Sequence, residues 1–256
     1  MVYLREPFEI EAIRTAAQLV TRTLEMLGRE VRPGRTTGEL DRLAETFIRD
    51  HGGQPAFKGY RGFPASICPS VNDEVVHAIP GSRELRDGDV IGIDVGVEKD
   101  GYFGDAAYTF PVGGVSREAK RLLHVTFGAL LEGVSQARAG KRVGDISHAI
   151  QTHAEQHGFS VVRSLVGHGI GRQMHEEPQV PNFGMPNSGP PLRPGMTLAI
   201  EPMVNAGGSD VYIKEDEWTV CTVDGSLSAY FEHTVAITAE GPVILTARNR
   251  NGAISS

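Results

Sequence analysis

Four stretches of the chain carry apolar residues at the three- and four-residue spacing of an amphipathic helix. In the first, the stripe comprises Ile10, Ile13, Ala17, Val20, Leu24 and Leu27. The second begins near Thr36, where Thr36 and Glu39 have the pattern of a capping box, and its inward residues would be Leu40, Leu43, Phe47 and Ile48. The third covers 116–137 and the fourth about 145–157. The spacing therefore predicts two pairs of helices, one pair in each half of the chain.

The two halves also match each other residue by residue. At an offset of 106, "RPGRTTGEL" (32–40) aligns with "RAGKRVGDI" (138–146), and at an offset of 107, "LRDGDVIGID" (85–94) aligns with "LRPGMTLAIE" (192–201). We predict a single catalytic domain over residues 1–256 that contains a duplicated unit, approximately 31–94 and 137–201. Because solenoids need three or more shorter repeats, two copies about a pseudo-twofold axis predict one α+β body with a central cleft. The alignment superposes Asp94 on Glu201.

The stretch 90–110, "VIGIDVGVEKDGYFGDAAYTF", alternates in the manner of two strands joined by a turn. One face of its first strand would carry Ile91, Ile93, Val95 and Val97, and Asp94 would lie on the other face among small residues. A turn around Lys99 and Asp100 would place Asp94 opposite Asp105, whereas a turn at Asp100 and Gly101 would make the two aspartates diagonal neighbours. Either register leaves two carboxylates on one face, where burial is costly unless a cation compensates.

Two further carboxylates have the same kind of setting. Glu201 and Glu232 each share a strand face with small residues, so that four strands would each offer one carboxylate. His168, flanked by glycines in "VGHGIGR", adds an imidazole that is free to approach a ligand. Such an oxygen-rich set suits two divalent transition ions, such as manganese, iron or cobalt, which can share bridging carboxylates and lower the pKa of a hydroxide-forming water.

Composition and charge narrow the class of protein. The net charge of −7, the pI near 5.7 and the interspersed Lys and Arg residues argue against a nucleic-acid binder. Cys68 and Cys221 form neither a CxxC pair nor a disulfide framework, which indicates a reducing compartment. The first residues, "MVYLREPFEIEAIR", lack the apolar run of a signal peptide, and no window approaches the roughly 18 apolar residues of a membrane span. We therefore expect a cytoplasmic protein without a membrane or nucleic-acid partner.

The ordered motifs "IGIDVG", "YFGDAAYTF", "VGHGIGR", "AIEPMVNAG" and "YFEHTVAIT" resemble those of the type I methionine aminopeptidases, in their short bacterial form. The segments "GFPASICPSVNDEVVHAIPG" and "HEEPQVPNFG" extend the resemblance over nearly the whole chain. It implies the pita-bread metallopeptidase fold, in which duplicated halves surround a central antiparallel sheet and helices cover the outer face. It also implies removal of the initiator methionine from nascent polypeptides whose second residue is small, by attack of a metal-bridging hydroxide on the first peptide bond.

The resemblance further implies a role for individual residues. The ligands of two divalent ions, which would be cobalt, iron, manganese, nickel or zinc, would be Asp94, Asp105, His168, Glu201 and Glu232. Asp94 would bind one ion, His168 and Glu201 would complete the other, and the remaining two carboxylates would bridge both. Glu201 would also carry the proton from the attacking hydroxide to the leaving amine. His77 and His175 would hold the scissile peptide and its tetrahedral intermediate.

The methionine pocket implied by the resemblance has an aromatic and thiol lining, which suits a flexible thioether: Tyr60, Phe63, Cys68 and Trp218. Two positions depart from the family pattern, because Arg61 stands where histidine is more usual and Met174 where an aromatic residue is more usual. These departures affect the shape and charge of the pocket rim. Glu201 and Glu232 are 31 positions apart, which leaves no room for the long insert of the type II enzymes.

Three alternatives compete with this hypothesis. An aminopeptidase P or prolidase of the same fold would cleave before proline, but such enzymes usually carry a large N-terminal domain. A catalytically inactive pita-bread protein acting as a scaffold or nucleic-acid partner would have lost ligands. A cysteine hydrolase would need an activated Cys68 thiol, which nothing in the sequence indicates. For the favoured hypothesis we expect nascent polypeptide N-termini as substrates, the ribosome as a candidate partner, and a monomer.

Overall fold

The structure, a computed structural model, describes residues 2–247. Its α-helices are α1 (Pro7–Glu30), α2 (Thr37–Asp50), α3 (Arg117–Gln136) and α4 (Val143–Gln156), as the spacing predicts. The capping box before α2 is formed, since the Glu39 N–H donates to Thr36 Oγ1 at 3.2 Å and the Thr36 N–H donates to Glu39 Oε2 at 2.9 Å. The inward face of α2 differs slightly from the prediction: Ala44 is fully buried, whereas Leu43 and Phe47 are only partly buried.

The strands are short, apart from one long hairpin, and all of their ladders are antiparallel. Those of the first half are β1 (Gln54–Pro55), β2 (Ile67–Val71), β3 (Glu74–Val76), β4 (Val90–Lys99) and β5 (Tyr102–Pro111). Those of the second half are β6 (Ser160–Val161), β7 (Val166–Gly169), β8 (Glu176–Pro181), β9 (Thr197–Ile200), β10 (Met203–Asn205), β11 (Val211–Ile213), β12 (Val220–Thr222), β13 (Ser228–Tyr230), β14 (His233–Ile237) and β15 (Pro242–Ile244).

Each pair of helices covers a sheet. In the first half α1 and α2 pack on the sheet β1-β4-β2, to which β5 adds along β4, and the predicted apolar face of β4 lies in that core. Strand β5 lies close against α1, because a Cβ on Gly104 would stand 2.5 Å from the backbone N of Ala17. In the second half α3 and α4 cover the sheet β15-β14-β9-β7-β8. Two three-stranded sheets, β13-β10-β6 and β11-β12-β3, complete the described architecture.

The β4–β5 hairpin adopts the second of the two predicted registers. Lys99 pairs with Tyr102 around a turn at Asp100 and Gly101, whose φ angles are 53° and 80°. Positive φ at both central residues is typical of a type I′ turn, whose twist matches that of the flanking strands, and Asp-Gly is among its preferred sequences. Asp105 therefore pairs with Gly96 rather than with Asp94. The two aspartates are diagonal neighbours on one face, and the directly opposed arrangement is wrong.

Hydrogen bonds join the two halves along β5. The Asp105 N–H donates to Thr234 Oγ1 at 3.1 Å, and that hydroxyl donates back to the Asp105 carbonyl at 2.7 Å. Further along, the Thr109 hydroxyl donates to the Tyr230 carbonyl at 2.7 Å, and the Glu232 N–H donates to the Ala107 carbonyl at 3.0 Å. The hairpin of the first half is thus fixed against β13 and β14 of the second half at the level of its aspartate.

The halves also correspond in their elements. Helices α2 and α4 both have 14 residues. They begin at Thr37 and Val143, which are 106 positions apart. Isolated bridges precede both helices in the same way, between Thr36 and Glu84 and between Arg142 and Pro191. From these matches and the aligned sequences we propose a duplicated unit within one domain; residues 1 and 248–256 of the predicted domain lie outside the described residues. In the described part of the chain, no helix combines the length and apolar character needed to cross a bilayer.

Candidate active site

The four predicted carboxylates converge between the two halves, on two kinds of backbone position. Asp94 and Asp105 lie within β4 and β5. Glu201 directly follows β9, and Glu232 lies between β13 and β14, so the prediction that all four lie within strands is wrong for the glutamates. The reason is tertiary: at both glutamates the chain passes between the five-stranded sheet and the sheet that contains β10 and β13.

All four carboxylates are buried, with exposed fractions of 7% for Asp94, 3% for Asp105, 9% for Glu201 and 1% for Glu232. Three of their oxygens, Asp94 Oδ1, Asp105 Oδ1 and Glu232 Oε1, have no hydrogen-bond partner among the described residues. A buried carboxylate without a partner is costly, and pairing or metal coordination is the usual compensation. These three oxygens therefore need a positive partner.

Burial is the main cause that raises the pKa of every one of these groups. The pKa of Asp94 rises to about 7. The pKa of Asp105 is raised by burial and then by the charges of Glu232, Asp94 and Glu201. Burial and neighbouring carboxylates also raise the pKa values of the two glutamates. A compact cluster of four ionised carboxylates is therefore unstable by itself. Protons or cations must neutralise it.

His168 contributes a nitrogen to the same cluster. Its Nδ1–H donates to the Gly169 carbonyl at 2.9 Å, which leaves the Nε2 lone pair directed at Glu201 Oε1 (3.6 Å) and Asp105 Oδ2 (3.9 Å). Burial lowers the pKa of the imidazole to about 4, so the ring is neutral at pH 7, as a metal ligand must be. Ligand atoms of Asp105, His168 and Glu232 lie within 4.8 Å of one another. This donor set fits a divalent transition ion.

Tyr230 is a further member of the cluster that the sequence analysis missed. Its phenol oxygen lies 2.9 Å from Glu201 Oε2 and 2.8 Å from Glu232 Oε2. A phenol has one proton to donate, so it donates to one carboxylate while the other, when protonated, donates to the phenol oxygen. The hydroxyl therefore fixes the separation of the two glutamates. The signal was available, because Tyr230 is two positions before Glu232 and strand alternation puts both on one side.

A cavity of about 160 Å³ opens beside the carboxylates. It is smaller than the roughly 300–1,000 Å³ of typical small-molecule sites, which suits a single side chain. The predicted pocket residues Tyr60, Phe63, Cys68 and Trp218 all line it, and Phe63 meets Trp218 edge to face at 5.1 Å between ring centroids. Further lining residues were not predicted, namely Phe57, Val76, Leu165, Val166 and Met203. Met174 is 2% exposed and packs in the apolar cluster behind the wall.

The two predicted catalytic histidines line the same cavity. The Tyr60 hydroxyl lies 2.9 Å from Nδ1 of His175, and the two rings stack at 5.2 Å between centroids. The pKa of His175 is lowered to about 3, first by loss of surrounding water, then by the repulsion that its protonated ring would meet from a protonated His168 and from Arg61. Burial also lowers the pKa of His77, which has a left-handed φ of 59°. Both rings are neutral at pH 7 and can donate a hydrogen bond into the cavity.

Comparison with known proteins agrees with this geometry. Residues 11–239 match metallopeptidase family M24. Methionine aminopeptidase 1 of Bacillus subtilis is 54% identical over 246 residues, which cover 96% of this chain and 99% of that protein. The crystal structure of methionine aminopeptidase from Rickettsia prowazekii superposes with a TM-score of 0.95 at 42% identity, over 96% of this chain and 100% of that one. The chain belongs to the methionine aminopeptidases.

Membership in this family confirms the resemblance that the motifs indicate, together with its α+β pita-bread fold, and it implies a divalent metal cofactor. The Xaa-Pro dipeptidase of Bacillus anthracis has the same fold with a TM-score of 0.78, but at 22% identity and over 63% of its own length. The proline-specific alternative is therefore not favoured. The cysteine-hydrolase alternative is not favoured either, because burial and the Asp94 charge raise the pKa of the Cys68 thiol and keep it protonated.

The loop that carries His175 is held by residues that precede and begin α1. The Glu176 carboxylate accepts hydrogen bonds from the backbone N–H groups of Arg172 (2.9 Å) and Gln173 (3.0 Å) and forms a buried ion pair with Arg5. The Arg172 guanidinium in turn donates to Glu9 Oε1 at 3.1 Å. Residues that precede and begin α1 thus fix the turn leading into His175. No local sequence pattern indicates this contact.

Proposed function

We propose that the chain removes the N-terminal methionine from polypeptides whose second residue is small. One observation carries the proposal: from a buried cluster of four carboxylates and a neutral imidazole, the imidazole and all the carboxylates except Glu232 line a small cavity whose other walls include aromatic and aliphatic side chains and Cys68. That arrangement combines a metal centre with a pocket for one apolar side chain. The family membership supports the same activity, because the relatives at 54% and 53% identity are methionine aminopeptidases.

The residues that would hold two divalent ions are those with unpaired buried oxygens and the neighbours that complete the set: Asp94, Asp105, His168, Glu201 and Glu232. Asp94 would bind one ion, His168 and Glu201 the other, and Asp105 and Glu232 would bridge them. Cobalt, iron, manganese, nickel and zinc are the candidate ions. When bound, such a pair supplies an activated water near neutral pH and stabilises negative charge on the attacked carbonyl.

The protein's own groups would position the peptide and move the proton. Glu201 lies beside the attack site and would carry the proton from the water to the departing amine. The Tyr60 hydroxyl would donate to Nδ1 of His175, 2.9 Å away, and the Nε2–H of His175 would then donate to the peptide oxygen. His77, on the same cavity wall, would provide a second neutral donor. Two preorganised donors would bind the oxyanion more strongly than the carbonyl oxygen.

Three tripeptides test the activity. The metal-loaded protein should release methionine from Met-Ala-Ser much faster than from Met-Lys-Ser, and should not cleave an X-Pro peptide in which X is another residue. Chelation should abolish release, and each candidate ion should be tested for its ability to restore it. Faster cleavage of the X-Pro peptide would replace this proposal with the prolidase alternative. Full activity in the chelated protein would refute the metal-dependent mechanism.

We further propose that the enzyme acts in the cytoplasm as a monomer, on nascent polypeptides, and that the ribosome is a candidate partner. The substrate supports this location, because an unprocessed N-terminal methionine is first available where chains are synthesised. Sedimentation of the purified protein tests the oligomeric state. Co-sedimentation with ribosomes in low and high salt tests recruitment.

A further inference from the structure

Arg61 occupies the apex of a closed turn at the mouth of the cavity. The turn runs from Gly59 to Phe63, and its ends are joined because the Gly59 N–H donates to the Phe63 carbonyl at 2.8 Å. At its apex Arg61 has φ 51° and ψ 20°, a left-handed conformation that is disfavoured for residues with a Cβ. Strained backbone of this kind often occurs at ligand-binding sites. The turn holds a charged side chain at a defined place on the rim.

The Arg61 side chain faces the catalytic wall. Its Cζ lies 5.3 Å from the centroid of the Tyr60 ring, in the geometry of a cation–π contact. The same Tyr60 bonds to His175 through its hydroxyl. The guanidinium is therefore attached to the wall that would hold the scissile peptide.

Arg61 also lines a second depression, which we call the exit groove. The exit groove adjoins the cavity and shares Arg61, Val166, His168 and His175 with it; its other walls are Tyr3, Gly167, Gln173, Glu176, Glu177 and Gln179. A peptide whose first side chain fills the cavity must continue outward past these shared residues. The exit groove is an open path for the downstream residues of the substrate.

The charges along the exit groove are unequally compensated. Glu176 is neutralised by Arg5. In residues 2–247 Arg61 has no carboxylate within 4.0 Å. Glu177 lines the exit groove but not the cavity, so it lies farther from the scissile bond. The first charge that an emerging peptide meets is thus the uncompensated guanidinium.

We propose that Arg61 makes this enzyme favour substrates with an acidic third residue. The proposal rests on the proposed function, since the methionine must occupy the cavity for the third residue to reach the rim. A carboxylate there would pair with Arg61, whereas a lysine would be repelled. Exposed ion pairs are weak, so the preference should be about two- to fivefold in kcat/KM. It should reside mainly in KM, because the rim contact is present before and during the reaction.

The test compares Met-Ala-Glu-Ser, Met-Ala-Gln-Ser and Met-Ala-Lys-Ser in wild type, R61Q, R61G and R61E. Wild type should prefer them in that order, R61Q and R61G should remove the order, and R61E should reverse it. The glycine variant tolerates the left-handed backbone, so it guards against misfolding of the turn. Salt at about 0.5 M should suppress the wild-type preference, because screening shortens the range of exposed charges. Lys58→Met is the matched control: Lys58 is in the same loop, pairs with Glu45 at 2.6 Å and lines neither cavity nor groove.

The outcomes separate two kinds of failure. If wild type does not cleave Met-Ala-Gln-Ser at all, the proposed function itself is wrong. Suppose that wild type cleaves all three peptides, and that the ratio of kcat/KM between the Glu and Lys substrates is the same in R61Q and R61E as in wild type. Arg61 then does not select the third residue, and this inference is overturned. A change of the ratio in Lys58→Met as large as in R61Q would also overturn it, because overall charge would then be the cause.

Discussion

Replacement of Tyr230 by phenylalanine should weaken divalent-metal binding while the protein stays folded. The substitution removes one oxygen, which lies 2.9 Å from Glu201 and 2.8 Å from Glu232. The ring remains and keeps its contacts in the apolar cluster around Met203 and Val220. What is lost is the group that fixes the separation of two carboxylates at the adjoining ends of the paired strands β9 and β14.

The expected magnitude follows from these contacts. When a metal is bound both glutamates are ionised, and a buried hydrogen bond to a charged group contributes about 1.5–3 kcal/mol. That corresponds to roughly a 10- to 100-fold loss of affinity, the range seen when residues that orient metal ligands are replaced. The pKa directions agree, because the Tyr230 hydrogen bond lowers the pKa of each glutamate. Its removal would let protons compete more strongly with the ion.

Calorimetric titration of chelated protein with Mn²⁺ or Co²⁺ measures the affinity directly, and thermal unfolding checks the fold. Tyr212→Phe is the matched control, because Tyr212 is 47% exposed on β11 and does not line the cavity beside the carboxylates. The reasoning is refuted if Tyr230→Phe binds metal as tightly as wild type. It is also refuted if Tyr212→Phe loses as much affinity as Tyr230→Phe.

Three further predictions concern the same centre. Asp105→Asn should abolish metal-dependent hydrolysis, yet in chelated protein at pH 8 it should raise the midpoint of denaturant unfolding, because it removes a buried charge. His77→Asn, which suits the left-handed backbone, and His175→Ala should retain metal in titrations and lose about 10²- to 10³-fold in kcat. In chelated wild type, the free energy of unfolding should fall as pH rises above about 6.5, since Asp94 has a pKa of about 7 when folded and 3.8 otherwise, whereas His168 and His175, whose pKa values are lowered in the folded state, oppose this trend only below their ordinary pKa of 6.5. The folded state then holds a proton that the unfolded chain has released, which costs about 1.4 kcal/mol per pH unit.

Each of these predictions can fail on its own. A less stable chelated Asp105→Asn protein would mean that this carboxylate is not an electrostatic liability. Loss of metal from either histidine variant would place that histidine among the ligands. A free energy of unfolding that is constant or rises as the pH increases above about 6.5, in the absence of metal, would contradict the raised pKa of Asp94.

Local patterns were enough to place half of the carboxylate cluster. Strand alternation has a period of two, so it puts Asp94 and Asp105 on one face whichever turn joins the strands. The position of the turn, and with it the register of the two strands, was left open by the alternation. The structure places it at Asp100 and Gly101, which both have positive φ. The same alternation could have revealed Tyr230.

Other features depend on contacts that no local pattern encodes. Glu201 and Glu232 were expected inside strands, but each lies where the chain leaves one sheet for another, and that change of sheet is a property of the whole fold. The lining residue Leu165 lies outside the strands, just before β7. Arg5 and Glu176 are 171 positions apart, so their pairing could not be inferred from spacing.

The Arg5–Glu176 pair has a consequence for the order in which the molecule becomes functional. During synthesis Glu176 leaves the ribosome 171 residues after Arg5, which at 5–20 residues per second is a delay of roughly 10–35 s. Until then the turn before His175 lacks its anchor. An enzyme that would process the first residue of other chains is therefore itself incomplete until Arg5 has met a segment made much later.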